Sequence, residues 1–275
     1  MRAVRGFAVG LLALAGCLQN QTVVKLNPDG SGTIEETTLM SDQIITMMAG
    51  FAQAAADPNG KPAPAPELFK ESDAKEKAEK MGEGVTFVSM EKVKTDGFQG
   101  MKAVYAFTDI TKVKLSTTPS APSSMGPQPT ENAAEPMEVK FQKGSGTSTF
   151  TIVLKRKEEA AKAVTDEQKA EAAKALEENT ADEGQLAQMQ QMLKGMKFSL
   201  AVEVGKVVKT NSAYVDGGRV TVFEIDFEGV LKNPAKLKEL AKAQPKTLEE
   251  SRAVLAGIEG IKFPAEQELT IEFSK

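Results

Sequence analysis

Alternating apolar and polar side chains predict β-strands along much of the chain. Val24 and Leu26 share one face of a predicted strand over residues 22–27, and residues 28–32 form the turn to its partner over 33–39. The other predicted strands are 84–94, 101–107, 137–142, 150–154, 197–209, 213–228 and 269–273. Because short turns join most of these strands to the next, we expect antiparallel β-hairpins.

Helical periodicity separates the predicted hairpins. Ser41 can cap a helix over residues 42–56, whose apolar residues recur at helical spacing and are read as a core-facing stripe. Further helices are predicted at 67–81, 165–178, 183–196, 234–243 and 248–258. The resulting prediction is an α+β fold in which helical hairpins pack on one face of antiparallel sheets, in two similar halves around a Pro-rich connector.

The Pro-rich connector covers residues 116–136 and is the best domain boundary in the sequence. Its prolines lie among Ser, Thr and Ala, a composition that buries too little apolar surface to offset the entropy of ordering. The alternative is a long ordered surface loop. The predicted division is a signal peptide at 1–16, a tether at 17–21, a subdomain at 22–115, the linker at 116–136 and a second subdomain at 137–275.

The first seventeen residues have the layout of a secretory signal. A basic start with Arg2 and Arg5 precedes an apolar run over residues 6–15. Ten residues make a helix of about 15 Å, half of what a hydrocarbon core near 30 Å requires, so this run is too short to span a bilayer. The segment ends in Leu14-Ala15-Gly16-Cys17 and contains the only cysteine of the chain.

This tetrapeptide resembles the lipobox of bacterial lipoprotein precursors. The resemblance implies cleavage before Cys17 and acylation of its sulfur, after which Cys17 is the first residue of the mature protein. Two or more acyl chains hold a protein to a leaflet, whereas a single chain binds only marginally. The alternatives are a plain secretory signal with an incidental cysteine, or a buried free cysteine.

The amino-acid composition excludes several kinds of catalytic site. The chain has no histidine, which excludes a Ser-His-Asp triad, a Cys-His pair and an H-E-x-x-H zinc site. One cysteine excludes an internal disulfide framework. The formal net charge of −4 argues against a nucleic-acid partner, which needs clustered Lys and Arg. Enzymes that use carboxylates, Ser-Lys pairs or oxygen-ligated metals remain open.

Two groups of side chains are candidate sites. Met189, Met192 and Met196 lie along one side of the predicted helix at 183–196 and could line a ligand groove, although such stripes more often face a core. Glu224, Asp226 and Glu228 are placed on one face of a predicted strand. That face could take part in acid–base chemistry or bind a cation, or could simply be solvated.

A second resemblance comes from three short segments of strand and turn. They are VVKLNPDGSG at 23–32, FSLAVEVGKVVKTN at 198–211 and DGGRVTVF at 216–223. Together they resemble the LppM-like family of bacterial lipoproteins. The resemblance implies an α+β lipoprotein domain that contacts lipids.

These features predict a lipid-anchored bacterial lipoprotein on the cell membrane or outer membrane, facing away from the cytoplasm. Its predicted role is non-enzymatic, either binding a lipid or an envelope protein or supporting the envelope, without a metal or cofactor. Its first partner is the membrane, through Cys17. The alternative is a carboxylate-dependent envelope enzyme such as a hydrolase, with Glu224, Asp226 and Glu228 as its only candidate cluster.

Overall fold

Strands dominate the part of the chain that the structure describes. The structure is a computed structural model, and it describes residues 18–54, 67–116, 137–154, 193–232, 255, 257–264 and 266–275, with side chains omitted for 51–54. The strands are β1 (Leu18–Leu26), β2 (Gly32–Ser41), β3 (Thr86–Thr95), β4 (Phe98–Phe107), β5 (Glu138–Gln142), β6 (Ser148–Val153), β7 (Lys197–Glu203), β8 (Lys206–Thr210), β9 (Val215–Asp216), β10 (Arg219–Asp226), β11 (Ile261–Lys262) and β12 (Glu268–Ser274). The helices are α1 (Asp42–Ala54), α2 (Glu71–Lys80) and α3 (Phe227–Leu231), with one 3₁₀ turn at Ile110–Lys112.

The described strands form two sheets. The larger sheet has eight strands in the order β11-β10-β7-β1-β2-β4-β3, with β9 paired to β10, and the smaller has the order β5-β6-β12-β8. All pairs are antiparallel except β1 with β7, which run parallel from Gln19↔Lys197 to Lys25↔Glu203. Because β7 comes after the connector and β1 before it, residues from both sides of the connector share one sheet.

The predicted hairpins are confirmed where turn chemistry is strong. In the turn between β1 and β2, Asp29 Oδ1 accepts hydrogen bonds from the backbone N–H of Ser31 at 3.0 Å and from its hydroxyl at 2.7 Å. Gly30 adopts φ +92°, a conformation that favours glycine. The predicted hairpins at 84–107 and 137–154 form as β3–β4 and β5–β6.

The predicted α+β class with helical hairpins packed on one face is wrong. Within the described residues, α1, α2 and α3 are short and separate in sequence, and the architecture is mainly β. The two similar halves are also wrong, because β1–β4 before the connector all lie in the larger sheet, whereas the strands after it are divided between the two sheets. The predicted helices at 165–178 and 234–243 lie outside the described residues, as do residues 117–136 of the connector and most of the helices at 183–196 and 248–258.

The predicted strand at 197–209 is in fact two strands in different sheets. The chain leaves the larger sheet after Glu203 and enters the smaller one at Lys206. Between them, a Cβ at Gly205 would lie 2.5 Å from the backbone carbon of Lys275, so only glycine fits this close approach. Gly205 and Lys275 are far apart in sequence, so local alternation does not reveal this close approach.

One hydrophobic core contains residues from both sheets. Val24, Ile34 and Val202 come from the larger sheet, and Phe150 and Phe273 from the smaller; all five are fully buried. The predicted last strand is confirmed as β12, in which Leu269, Ile271 and Phe273 alternate inward. Burial of these apolar side chains is the main stabilisation of the fold, at about 1.5–3 kcal/mol for each large residue.

Helix α1 begins directly at the end of β2. Ser41 caps it as predicted, since its hydroxyl accepts a hydrogen bond from the Ile44 N–H at 3.3 Å. Ile44 is buried in a small cluster with Met40 and Leu68. Among the described helices, none is long and apolar enough to cross a membrane.

Candidate functional site

The predicted lipidation residue, Cys17, lies outside the described residues, which begin at Leu18. Leu18 is the first residue of β1 and pairs with Met40 of β2. Residues 18–21, which the sequence suggested as a tether, are therefore part of the larger sheet. The lipidation of Cys17 itself stays a prediction.

Of the three methionines proposed to face a ligand, the structure describes Met196 only. Its side chain is 7% exposed. Its backbone N–H donates to the Leu193 carbonyl at 3.0 Å, and its own carbonyl accepts from the Phe227 N–H at 3.1 Å. Met196 thus lies in the buried junction that leads into β7, while Met189 and Met192 lie outside the described residues.

Glu224 is bound by two lysines. Its carboxylate lies 3.0 Å from Lys197 Nζ and 2.9 Å from Lys262 Nζ, and its side chain is 17% exposed. Burial raises the pKa of Glu224, but the hydrogen bonds and charges of Lys262 and Lys197 outweigh it and hold that pKa below its ordinary value. Because a general acid needs a raised pKa, Glu224 is poorly suited to that role.

Of the other two candidate carboxylates, Asp226 is the last residue of β10 and Glu228 lies beyond the strand. Asp226 Oδ1 accepts hydrogen bonds from the N–H groups of Glu228 at 3.1 Å and Gly229 at 3.3 Å. Asp226 is therefore the N-cap of α3, and Glu228 lies in its first turn. The expectation that all three carboxylates share one strand face is wrong. Within the described ranges, no group of three or more His, Cys, Asp or Glu is arranged to hold a metal.

A buried polar cluster lies on the inner face of the larger sheet, where sequence reasoning placed no site. We call Asn20, Glu36, Thr38, Lys77 and Tyr105 the Glu36 cluster. Glu36 is 4% exposed, and Asn20 Nδ2 donates to its Oε1 at 3.2 Å and to Thr38 Oγ1 at 3.0 Å. Lys77 of α2 donates to both carboxylate oxygens of Glu36, at 2.5 Å for Oε2. The carboxylate is thus neutralised and hydrogen-bonded inside the fold.

Helix α2 brings Lys77 onto the sheet. Ala74 and Ala78 are buried and let the helix approach closely. The neighbouring carboxylate, Glu35, points to the opposite face and pairs with Lys25 and, at 3.1 Å, with Lys102. The two adjacent glutamates therefore have different roles, as the alternation of a strand requires.

Tyr105 completes the Glu36 cluster without a described hydrogen-bond partner. Its side chain is fully buried, and no group in the described part of the chain bonds its hydroxyl. Burial raises the pKa of Tyr105, and the nearby negative charge of Glu36 raises it further. The hydroxyl is therefore protonated well above the pH at which an exposed tyrosine ionises.

Replacing Tyr105 with phenylalanine should raise the free energy of unfolding by about 1 kcal/mol at neutral pH, because it removes a buried hydroxyl without a described partner. Above about pH 10 the tyrosine ionises in the unfolded state but not in the folded state. The free energy of unfolding of the wild type therefore falls by up to about 1.4 kcal/mol per pH unit. Tyr105→Phe should not show this decrease. Urea unfolding at neutral and alkaline pH measures both effects, with Tyr214→Phe at the partly exposed tyrosine as the control. Equal pH dependence of Tyr105→Phe and wild type would contradict the assignment.

A cleft of about 400 Å³ lies beside α1, and we call it the α1 cleft. Its lining combines apolar side chains with two lysines and one carboxylate. The lining residues are Ile45, Glu67, Leu68, Phe69, Lys92, Val93, Lys94, Gln99 and Gly100. Sequence reasoning missed this cleft because its walls come from four separate segments.

Comparisons with known proteins do not assign the chain to a family. No protein-family model matches the chain, and no curated protein matches it. A solved structure that is similar is the NMR structure of the folded domain of the LppM protein from Mycobacterium tuberculosis. It is 10% identical, covers 94% of this chain and 91% of that chain, and has a TM-score of 0.32. A TM-score at this level does not establish a shared fold, so the proposed function depends on the residues of the chain itself.

Proposed function

We propose that the protein is an extracytoplasmic bacterial lipoprotein, held to the cell membrane or outer membrane by acyl chains on Cys17. Its β-rich body has a non-enzymatic role, in binding a lipid or an envelope protein or in supporting the envelope. The observation that carries this proposal is the Leu14-Ala15-Gly16-Cys17 sequence, which ends one residue before the start of β1.

The layout of the first seventeen residues supports cleavage before Cys17. The basic start and short apolar run of the removed segment fit a signal peptide, and the cysteine is where acylation would occur. Acylation also gives the only thiol of the chain a function.

A non-enzymatic role is supported by the way the described carboxylates are used. Glu224 is neutralised by two lysines, and Asp226 caps a helix. Glu36 is buried against Lys77. Each of these groups already has a structural partner, and the chain has no histidine to act in their place.

Changing Cys17 to serine should release the protein from membranes and abolish its labelling by a fatty-acid analogue, because the acyl acceptor is lost. Cell fractionation and metabolic labelling measure the two effects. Mass spectrometry of the membrane-extracted wild type should give a chain that begins at Cys17 and carries acyl groups.

The matched control is Gln142→Ser, which introduces serine at an exposed position at the end of β5 and should keep both membrane association and labelling. Fatty-acid labelling that persists in Cys17→Ser, or a native wild-type chain that retains Met1, would refute the proposed anchor.

A further inference from the structure

Strand register gathers residues from four strands at the end of the larger sheet where β1 begins. Leu18 pairs with Met40, Met40 pairs with Gln99, and Gln99 pairs with Lys94. We call this row, together with α1, the anchor end of the sheet. Helix α1 starts there because Asp42 directly follows β2, and Gln99 Nε2 donates to Asp42 Oδ1 at 2.9 Å.

The anchor end lies next to Cys17. One peptide bond joins Cys17 to Leu18, and consecutive Cα atoms are about 3.8 Å apart. Strand β1 has nine residues and extends about 26 Å to the opposite end of the sheet. With acyl chains on Cys17, the β-rich body is therefore held close to the bilayer. Its anchor end is the end that contacts the leaflet.

Helix α1 is uncharged after its first residue, Asp42. Residues 43–54 contain no charged side chain, whereas surface helices normally carry charges on their solvent side, and its exposed described positions are Gln43, Thr46, Met47 and Gly50. Ile44 faces the protein and is buried, but Met47 is 39% exposed, and Ile45 and Met48 are only partly buried. Such a helix can place its outer side chains among the acyl chains just below lipid headgroups.

Two lysines beside α1 add positive charge to the anchor end of the sheet. Lys92 and Lys94 line the α1 cleft and are exposed. Neither forms an ion pair with a described carboxylate, although Glu67 lines the same cleft. Each basic side chain near an anionic membrane contributes about 1 kcal/mol to binding, equivalent to roughly fivefold in affinity.

We propose that the anchor end docks on the leaflet that holds the acyl chains. Helix α1 lies in the interface with Met47 toward the lipid, and Lys92 and Lys94 contact anionic phospholipid headgroups. This inference depends on the proposed anchor at Cys17 and adds a second contact, which fixes the orientation of the protein on the membrane.

Single-cysteine labelling of the acylated protein tests the orientation. Acylation consumes Cys17, so an introduced cysteine is the only free thiol. Met47→Cys carries an environment-sensitive fluorophore at the proposed contact. Val208→Cys is the matched control, because Val208 is 50% exposed on β8, which follows the far end of β7. Each labelled protein is reconstituted into vesicles of phosphatidylcholine and phosphatidylglycerol. We expect a blue shift and quenching by a lipid-borne quencher at position 47, and neither at position 208.

Charge reversal tests the headgroup contact. Lys92→Glu with Lys94→Glu in the Met47→Cys protein should reduce lipid-borne quenching, and vesicles of phosphatidylcholine alone should do the same. Lys206→Glu with Lys209→Glu, two exposed lysines of β8, is the control pair and should leave the quenching unchanged. If the charge-reversed pair, the control pair and the phosphatidylcholine vesicles all give the same quenching, the proposed role of Lys92 and Lys94 is wrong.

The outcomes separate the two proposals. If mass spectrometry finds no acyl group and the protein does not enter vesicles, the anchor and the docking are both wrong. If the acylated protein is in the vesicles but position 47 is as accessible to aqueous iodide as position 208, only the docking is wrong. Shielding from iodide without quenching from the lipid would mean that protein covers α1, from this chain or a second copy, and would also overturn the docking.

Discussion

Lys77→Ala should lower the free energy of unfolding by about 3 kcal/mol, the loss typical of breaking a buried ion pair from one side. The reason is that Glu36 is 4% exposed and would keep Asn20 as its described donor but lose its countercharge. Restoring solvation requires moving α2 away from the sheet, which exposes Ala74 and Ala78. Urea unfolding of the wild type and the variant measures the difference.

Two matched variants show whether this loss comes from the buried pair. Lys75→Ala, on the same helix, removes an exposed lysine that pairs with Glu71 and lies 5.6 Å from the Phe87 ring centroid, and should cost no more than about 1 kcal/mol. Glu36→Leu combined with Lys77→Met should recover most of the stability, because apolar residues can replace a buried pair. If Lys77→Ala costs no more than Lys75→Ala, the Glu36 cluster is not a buried pair in solution.

Glu36 also shows what the sequence could have revealed. It is in phase with Ile34 and Met40 on β2, and both of these are buried, so alternation alone places Glu36 on the inner face. Its partner was harder to find. The helix that carries Lys77 is rich in charge, a composition typical of a solvated helix, and only the packing of α2 shows that one of its lysines points inward.

Local signals predicted the hairpins well because pairing and turn lie within a few residues of each other. The turn at residues 28–32 is an example, and it forms as expected. The parallel pairing of β1 with β7 joins segments on opposite sides of the connector, and no short-range pattern carries that information. The same limit explains the missed break at Gly205, where the deciding neighbour is Lys275.

The same distinction between local and long-range information applies to the candidate site. A lipid anchor at Cys17 stays a prediction, and it can be proposed from the sequence because the signal-peptide pattern and the cysteine are contiguous. The α1 cleft could not be predicted, because its lining comes from α1, the segment before α2, β3 and β4. For the acidic residues, alternation correctly placed Glu224 on β10 but did not show that the strand ends at Asp226.

Phe273→Ala should lower the free energy of unfolding by about 3–5 kcal/mol, since it removes a fully buried aromatic ring and leaves a cavity. Phe273 lies on β12, between β6 and β8 in the smaller sheet, and its ring belongs to the core that both sheets share. Calorimetry and urea unfolding measure the loss.

Phe263→Ala is the control for that substitution, because Phe263 is only partly buried and stacks on Phe223 at 6.1 Å between ring centroids. It should cost less than half as much, since less apolar surface is removed from the interior.

The shape of the unfolding transition of Phe273→Ala tests whether the two sheets unfold together. Because residues of both sheets form one core, Phe273→Ala should shift a single cooperative transition to lower temperature. A variant in which the smaller sheet melts first, while the larger one unfolds at the wild-type temperature, would mean that the two sheets are stabilised independently and that the shared core contributes little to holding them together.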